Sequence, residues 1–272
     1  MIDIHTHILP GVDDGLQDIG EALLMAEDAA SQGVRAMVAT PHLYWHGRQA
    51  LSAAQIRHGV GDLNTLIQAK GVPVEILPGC EIPLQAELLE RLQRDEWMSL
   101  GDSGRAVLVE PPWGEWLPYG KAVLQNLLEA GWMVVLAHPE RHVFFQRNLS
   151  LLEELVQMGV HLQVSTGSLI AGRSEPAAAR CAYELMERRL VSVVASDCHG
   201  IKRRRCDLGE AAELLKRSYG QHVAQMLTTN VPRALLRGER VDLQQVWRNV
   251  PTDNSRWKKI LRAVLRRQTD DG

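Results

Sequence analysis

Residues 133–141 read Met-Val-Val-Leu-Ala-His-Pro-Glu-Arg: five apolar positions in a row, then a histidine, a proline and two charged side chains. An unbroken apolar run, rather than strict alternation, is what a strand buried on both faces requires, and such strands belong to parallel sheets covered by helices. The same design recurs in both directions along the chain. Candidate strands fall at 2–4, 36–40, 74–78, 106–109, 161–164 and 192–195, besides 133–137. Amphipathic stretches at 19–31, 52–70, 120–130, 149–158 and 175–189 lie among them, and Gly33, Gly71, Gly131 and Gly159 supply helix stops. Seven strands with starts about 30 residues apart argue for repeated βα units. The expected fold class is α/β, a TIM-like (β/α) barrel of seven units, with an open parallel sheet as the alternative. One domain is expected over residues 1–230, followed by a helical tail at 231–272.

Composition narrows the class further. Of 272 residues, 45% are hydrophobic and 23% charged, which is ordinary for a water-soluble globular protein. Thirty basic against 33 acidic residues give a net charge of −3, so neither a basic nucleic-acid coat nor an acidic disordered chain fits. Four cysteines (Cys80, Cys181, Cys198 and Cys206) with no C-x-x-C pair speak against a disulfide scaffold or a zinc ribbon. The N-terminal stretch lacks the charged-then-apolar pattern of a signal peptide, and the apolar runs fall far short of the roughly 20 residues of a spanning helix. A cytoplasmic protein is expected.

The strand ends carry the chemistry. The first runs into Asp3-Ile-His5-Thr-His7, the second into Thr40-Pro-His42, the third into Gly79-Cys-Glu81 and the fourth into Glu110-Pro111. The fifth gives His138-Pro-Glu-Arg141 and the seventh Ser196-Asp197-Cys-His199. In a parallel α/β fold these C-terminal ends converge on one crevice. Residues i and i+2 of a strand share a face, so His5 and His7 can grip one ion, and Asp197 with His199 repeats that spacing. Imidazoles and carboxylates without thiolates suit Mn²⁺, Fe²⁺ or Zn²⁺. Eight candidate ligands exceed the need of one ion, and Glu81 and Glu110 are the expected bridging carboxylates.

These motifs resemble the PHP (polymerase and histidinol phosphatase) superfamily. MIDIHTHILPGVDDG, ATPH, GCEI, HPER and SDCHG look like the PHP-type bacterial protein-tyrosine phosphatases of capsule and exopolysaccharide synthesis, over residues 1 to about 205. The resemblance implies the PHP fold, a distorted seven-unit barrel, and a three-ion site supported by Mn²⁺, with Fe²⁺, Co²⁺, Zn²⁺ and Mg²⁺ as alternatives. Its ligands would be His5, His7, His42, Glu81, Glu110, His138, Asp197 and His199, with Arg141 and Arg204 binding phosphate. The implied reaction is hydrolysis of phosphotyrosine by metal-bound hydroxide, the substrate a membrane-bound polysaccharide-synthesis tyrosine kinase. Another PHP phosphoesterase, such as a histidinol phosphatase, or a non-catalytic PHP binding module are the alternatives. Nothing suggests nucleic acid as a partner.

Four further expectations accompany this. Asp3 and Asp14 are candidates to orient imidazoles or to protonate the leaving group. Cys198 and Arg204 fit C-x₅-R, the thiolate-phosphatase pattern, but Cys198 lies between two ligand candidates and is expected to be a decoy. Tyr44, Trp45, Trp113, Trp116 and Tyr119 follow strands two and four, where they would rim the site, and His142 adjoins Arg141. From about residue 255, Trp257, Ile260, Leu261, Val264 and Leu265 alternate with basic residues as in an amphipathic helix. Such a helix docks on the barrel or lies at the inner face of an anionic membrane through 255–267.

Overall fold

The computed structural model describes residues 1–44, 50–170, 173–248 and 250. Trp45 and the basic segment 255–267 lie outside the described residues. Among the described residues, eight parallel strands form the centre: β1 (Ile2–Thr6), β2 (Ala36–Ala39), β3 (Glu75–Pro78), β4 (Glu81–Pro83), β5 (Ala106–Glu110), β6 (Met133–Leu136), β7 (His161–Ser165) and β8 (Val191–Ala195). Helices α1 (Ile19–Ser31), α2 (Ala53–Ala69), α3 (Leu88–Gln93), α4 (Gly120–Glu129), α5 (Val143–Arg147) and α6 (Leu149–Met158) alternate with them. They are followed by α7 (Thr166–Leu169), α8 (Pro176–Glu187), α9 (Leu208–Tyr219), α10 (Gln221–Gln225), α11 (Val231–Arg237) and α12 (Leu243–Val246).

The strands pair in chain order as two parallel sheets, β1-β2-β3 and β4-β5-β6-β7-β8. Parallel bridges cross both seams, His42 to Glu81 at one and Thr6 to Cys198 at the other. The second seam is reinforced where Asp197 N donates to His5 O and His7 N to Cys198 O, each at 2.9 Å. The strand order is therefore cyclic, the pattern of a distorted barrel of the TIM-like kind. Core positions on the strands are nearly all apolar: Val107, Leu108, Val134, Val135, Leu136, Val193 and Val194 have no exposed surface.

One expected strand is two. Residues 74–78 lead not to a strand end at Glu81 but to a break at Gly79-Cys80, after which β4 begins with Glu81 itself. A Cβ at Gly79 would stand 2.7 Å from Val38 Cγ1, so only glycine lets the chain press against β2 and step to the next sheet. The helices follow local rules. Asp18 caps α1 by accepting from Glu21 N, and Ser52 with Gln55 forms a capping box on α2. Asn64 ties α2 to β3 through both its amide atoms, at 2.7 and 2.9 Å from Ile76 O and N. After α10 a π-helical turn, Met226–Asn230, runs directly into α11, whose Val231, Pro232 and Leu235 are buried.

Candidate metal centre

The strand ends bring eight polar side chains into one depression. His5 and His7 project to the same side of β1, their Nε2 atoms 3.3 Å apart. Glu81 Oε2 lies 3.3 Å from His5 Nε2, 3.4 Å from His7 Nε2 and 3.3 Å from His42 Nδ1. Its Oε1 lies 2.9 Å from His138 Nε2, so one carboxylate touches four imidazoles from three segments. Glu110, the last residue of β5, reaches within 3.7 Å of His42 Nδ1. Asp197 Oδ1 stands 3.4 Å from His5 Nε2, 3.6 Å from His7 Nε2 and 3.5 Å from His199 Nδ1. Three triads, His5-His7-Glu81, His5-His138-Asp197 and His42-Glu81-Glu110, each have their ligand atoms within 4.8 Å of one another. His7, Asp14, His42 and His199 form a fourth group of the same kind.

Hydrogen bonds behind the histidines decide what they present. His7 Nδ1 lies 2.7 Å from Asp13 Oδ2, a contact only a ring N–H can make, so Nε2 is the nitrogen that faces the cluster. Gln163 Oε1 accepts from the His138 backbone N–H and from His5 Nδ1, both at 3.1 Å, which gives His5 the same tautomer. His199 Nδ1 donates 3.0 Å to the Asp197 carbonyl, leaving Nε2 toward Asp14 Oδ1 at 3.4 Å. Ring nitrogens and carboxylate oxygens thus converge on one place. Asp197 Oδ1, Glu110 Oε1, Asp14 Oδ1 and His138 Nδ1 are buried without a hydrogen bond.

Charge tells the same story. Burial opposes protonation of His7, yet Asp13 and Glu81 outweigh it and hold its pKa well above the usual imidazole range. Burial would raise Glu81 and Asp197, but the neighbouring histidines, with Arg204 beside Asp197, pull both well below the ordinary carboxylate value. Glu110 is pushed up to about 8 by burial and by the charge on Glu81. The cluster demands positive charge, and converging N and O donors of this kind fit divalent cations.

Two arginines close one side. Arg141 Nη1 and Arg204 Nη2 reach Asp197 Oδ2 at 2.5 and 2.7 Å, from the HPER turn and from the loop after β8. Of the basic run 202–205, Arg205 turns away to Asp207 at 2.6 Å, and Lys202 and Arg203 are exposed. Asp14 lies between Arg204 Nη1 at 3.9 Å and His199, and the histidines hold its carboxyl down at about 2 against the effect of burial. His138, Asp197 and Arg204 all take positive φ, of 29°, 53° and 49°. Each costs about 1 kcal/mol or more in a non-glycine residue, and such strain gathers at functional sites.

Asp3 departs from its sequence reading. Asp3 touches no imidazole: it accepts from Ser196 N at 3.0 Å and His5 N at 3.4 Å, stapling β1 to the end of β8. The orienting carboxylate is Asp13, which also accepts from His42 N and Gly15 N. Its signal was local, an Asp two residues before a glycine in an Asx turn. Gln163 and Glu140 carry no such signal in their spacing. Glu140 is buried, receives Ser165 N and Ser168 Oγ, and is raised to about 7 by burial. Cys198 is buried with Sγ 3.4 Å from Met25 Sδ, facing the core and not the arginines. Trp113 is 56% exposed, whereas Trp116 packs on Phe144 and Phe145. Tyr44 is half exposed, edge-on to Trp97.

Residues 1–237 match the family model described as capsular polysaccharide synthesis, CpsB/CapC. The chain belongs to the CpsB/CapC family. Among its relatives, the tyrosine-protein phosphatase YwqE of Bacillus subtilis is 35% identical over 241 residues, covering 89% of this chain and 93% of that protein. The tyrosine-protein phosphatase CpsB of Streptococcus pneumoniae is 29% identical over 240 residues, 87% of this chain and 98% of its own. A crystal structure from the work on these two, described as unique metal-dependent tyrosine phosphatases, superposes with a TM-score of 0.84 at 34% identity, covering 89% of this chain and 96% of that one. CpsB/CapC membership and the α/β fold with parallel sheets thus agree with the resemblance read from the motifs. No helix among the described residues is long and apolar enough to cross a membrane.

Proposed function

We propose that this CpsB/CapC chain is a metal-dependent protein-tyrosine phosphatase whose ions are held by His5, His7, His42, Glu81, Glu110, His138, Asp197 and His199. The observation that carries the reading is the convergence of those eight side chains beside two arginines that reach one carboxylate oxygen. Divalent cations supply Lewis acidity toward phosphate oxygens and bring the pKa of water toward roughly 7. We assign three ions, Mn²⁺ by preference, because the triads share His5 and Glu81 as neighbours do in a polynuclear site.

The protein's own groups do the rest. Arg141 and Arg204 offer forked donors to the phosphate oxygens where negative charge builds in the transition state. Asp14 orients His199 and Arg204. Asp13 and Gln163 hold the His7 and His5 rings in their working tautomers. Tyrosine leaves as a phenolate with an intrinsic pKa near 10, a far better leaving group than an alkoxide. No side chain serves as nucleophile, so no phosphoenzyme forms. A stoichiometric phosphoprotein trapped during turnover would refute that.

The relatives' role in capsular polysaccharide synthesis supports a tyrosine kinase of that process as the substrate, with the basic segment 255–267 meeting an anionic membrane surface beside it. Vesicle flotation with and without residues 251–272 tests the membrane contact, which is abandoned if both forms float alike. The main test assays metal-stripped protein, reloaded with Mn²⁺, on phosphotyrosine and phosphoserine peptides and on histidinol phosphate in parallel. Phosphotyrosine is expected to be preferred. Preference for histidinol phosphate would replace this reading with that of a small-molecule PHP phosphatase.

A further inference from the structure

Trp113 is a large aromatic residue left 56% exposed, yet its position is closely specified. Pro111 and Pro112 restrict the backbone just before it. His142 Nδ1 donates to the Pro112 carbonyl at 3.2 Å, and its ring stacks on the indole at 4.4 Å and 23°. The same indole is near-parallel to His138 at 5.9 Å, and His138 to His142 at 5.5 Å and 9°. Arg141 joins this stack to the charged site: its Cζ lies 5.2 Å from the indole centroid while Nη1 holds Asp197 Oδ2 at 2.5 Å. One guanidinium therefore spans from the place proposed for phosphate to the tryptophan ring.

We infer that Trp113 is the platform for the aromatic ring of an aryl phosphate, so that the site selects aromatic over aliphatic phosphate monoesters. The inference rests on the phosphatase reading and assigns it a specificity-determining residue. An ester anchored by Arg141 carries its leaving group next to the phosphate, where the exposed indole offers an apolar, polarisable surface. Aromatic pairs gain from offset-stacked or edge-on contact beyond the area they bury. Among the described residues, two other rim aromatics do not combine these features. Trp116 is engaged by Phe144 and Phe145, and Tyr44 packs edge-on against Trp97. His142 is a positioning residue: it touches the platform and not the substrate.

The test uses Mn²⁺-loaded full-length protein, the variants Trp113→Ala and Trp113→Phe, and two non-hydrolysable probes, benzylphosphonate and methylphosphonate, with binding read by calorimetry. Trp113→Ala is expected to weaken benzylphosphonate about three- to ten-fold while methylphosphonate changes less than about two-fold, and Trp113→Phe to restore most of the loss. In kinetics, KM for a phosphotyrosine peptide rises and kcat changes little. An equal loss for both phosphonates, or none for either, overturns the platform. Wild-type preference for histidinol phosphate with the benzylphosphonate effect intact would instead retain the platform and remove the tyrosine assignment.

Discussion

Asp13 accepts hydrogen bonds from His7 Nδ1, the His42 backbone and the Gly15 backbone, so a single turn carboxylate orders two candidate ligands. Replacing it with Ala frees the His7 ring to rotate and is predicted to lower Mn²⁺ affinity about 10–100-fold, measured by calorimetric titration. Unchanged affinity would remove Asp13 from the site. Cys198→Ser, by contrast, should leave phosphotyrosine hydrolysis near the wild-type rate, because the thiol faces Met25 in the core. Seven of the eight candidate ligands could be read from the sequence because parallel strands deliver their C-terminal residues to one place, and Glu81, which opens β4, follows the end of β3 by three residues. Asp13 and Gln163 could not: each acts through the far nitrogen of a histidine, a relation set by folding and not by spacing. Asp3 misled for the same reason, as its neighbours along the chain are not the groups its carboxylate meets.

The elements impose tolerances that composition hides. A Cβ on Gly15 would stand 2.3 Å from His7 O and 2.7 Å from His7 Cβ, against backbone that has nowhere to go. Gly15→Ala is predicted to cost about 1–3 kcal/mol in urea unfolding and to weaken metal binding along with it, through displacement of His7. At the start of β7, burial depresses the pKa of His161 to about 4, with Ser192 Oγ 3.3 Å from its Nδ1. The unfolded chain takes up that proton near pH 6.5, so His161 leaves stability intact above that pH and diminishes it as the pH falls toward 4. His161→Gln should flatten the fall in unfolding free energy over that window by on the order of 2 kcal/mol, a discounted figure because the ring is partly exposed. Equal slopes in both proteins would contradict this. Most strands and the larger helices were evident from apolar runs and glycine stops. The division of the third strand was not, because the close approach of Gly79 to Val38 is a contact between elements.

Across the molecule, a net charge of −3 conceals a strong local imbalance. Asp13, Asp14, Glu81, Glu110 and Asp197 crowd one end of the strands, where Arg141 and Arg204 are the facing arginines. Divalent cations there would turn an anionic pit into a site able to receive a dianionic phosphate. Average composition could not reveal this, since the compensating basic residues lie elsewhere in the chain. The most direct test is to titrate metal-stripped protein with Mn²⁺ while recording bound metal and phosphotyrosine-peptide hydrolysis on the same sample. Hydrolysis should be absent at the start, rise in step with binding, and saturate near three ions per chain. Full activity in the stripped protein, together with its loss in Cys198→Ser, would contradict the metal centre and restore the thiolate route.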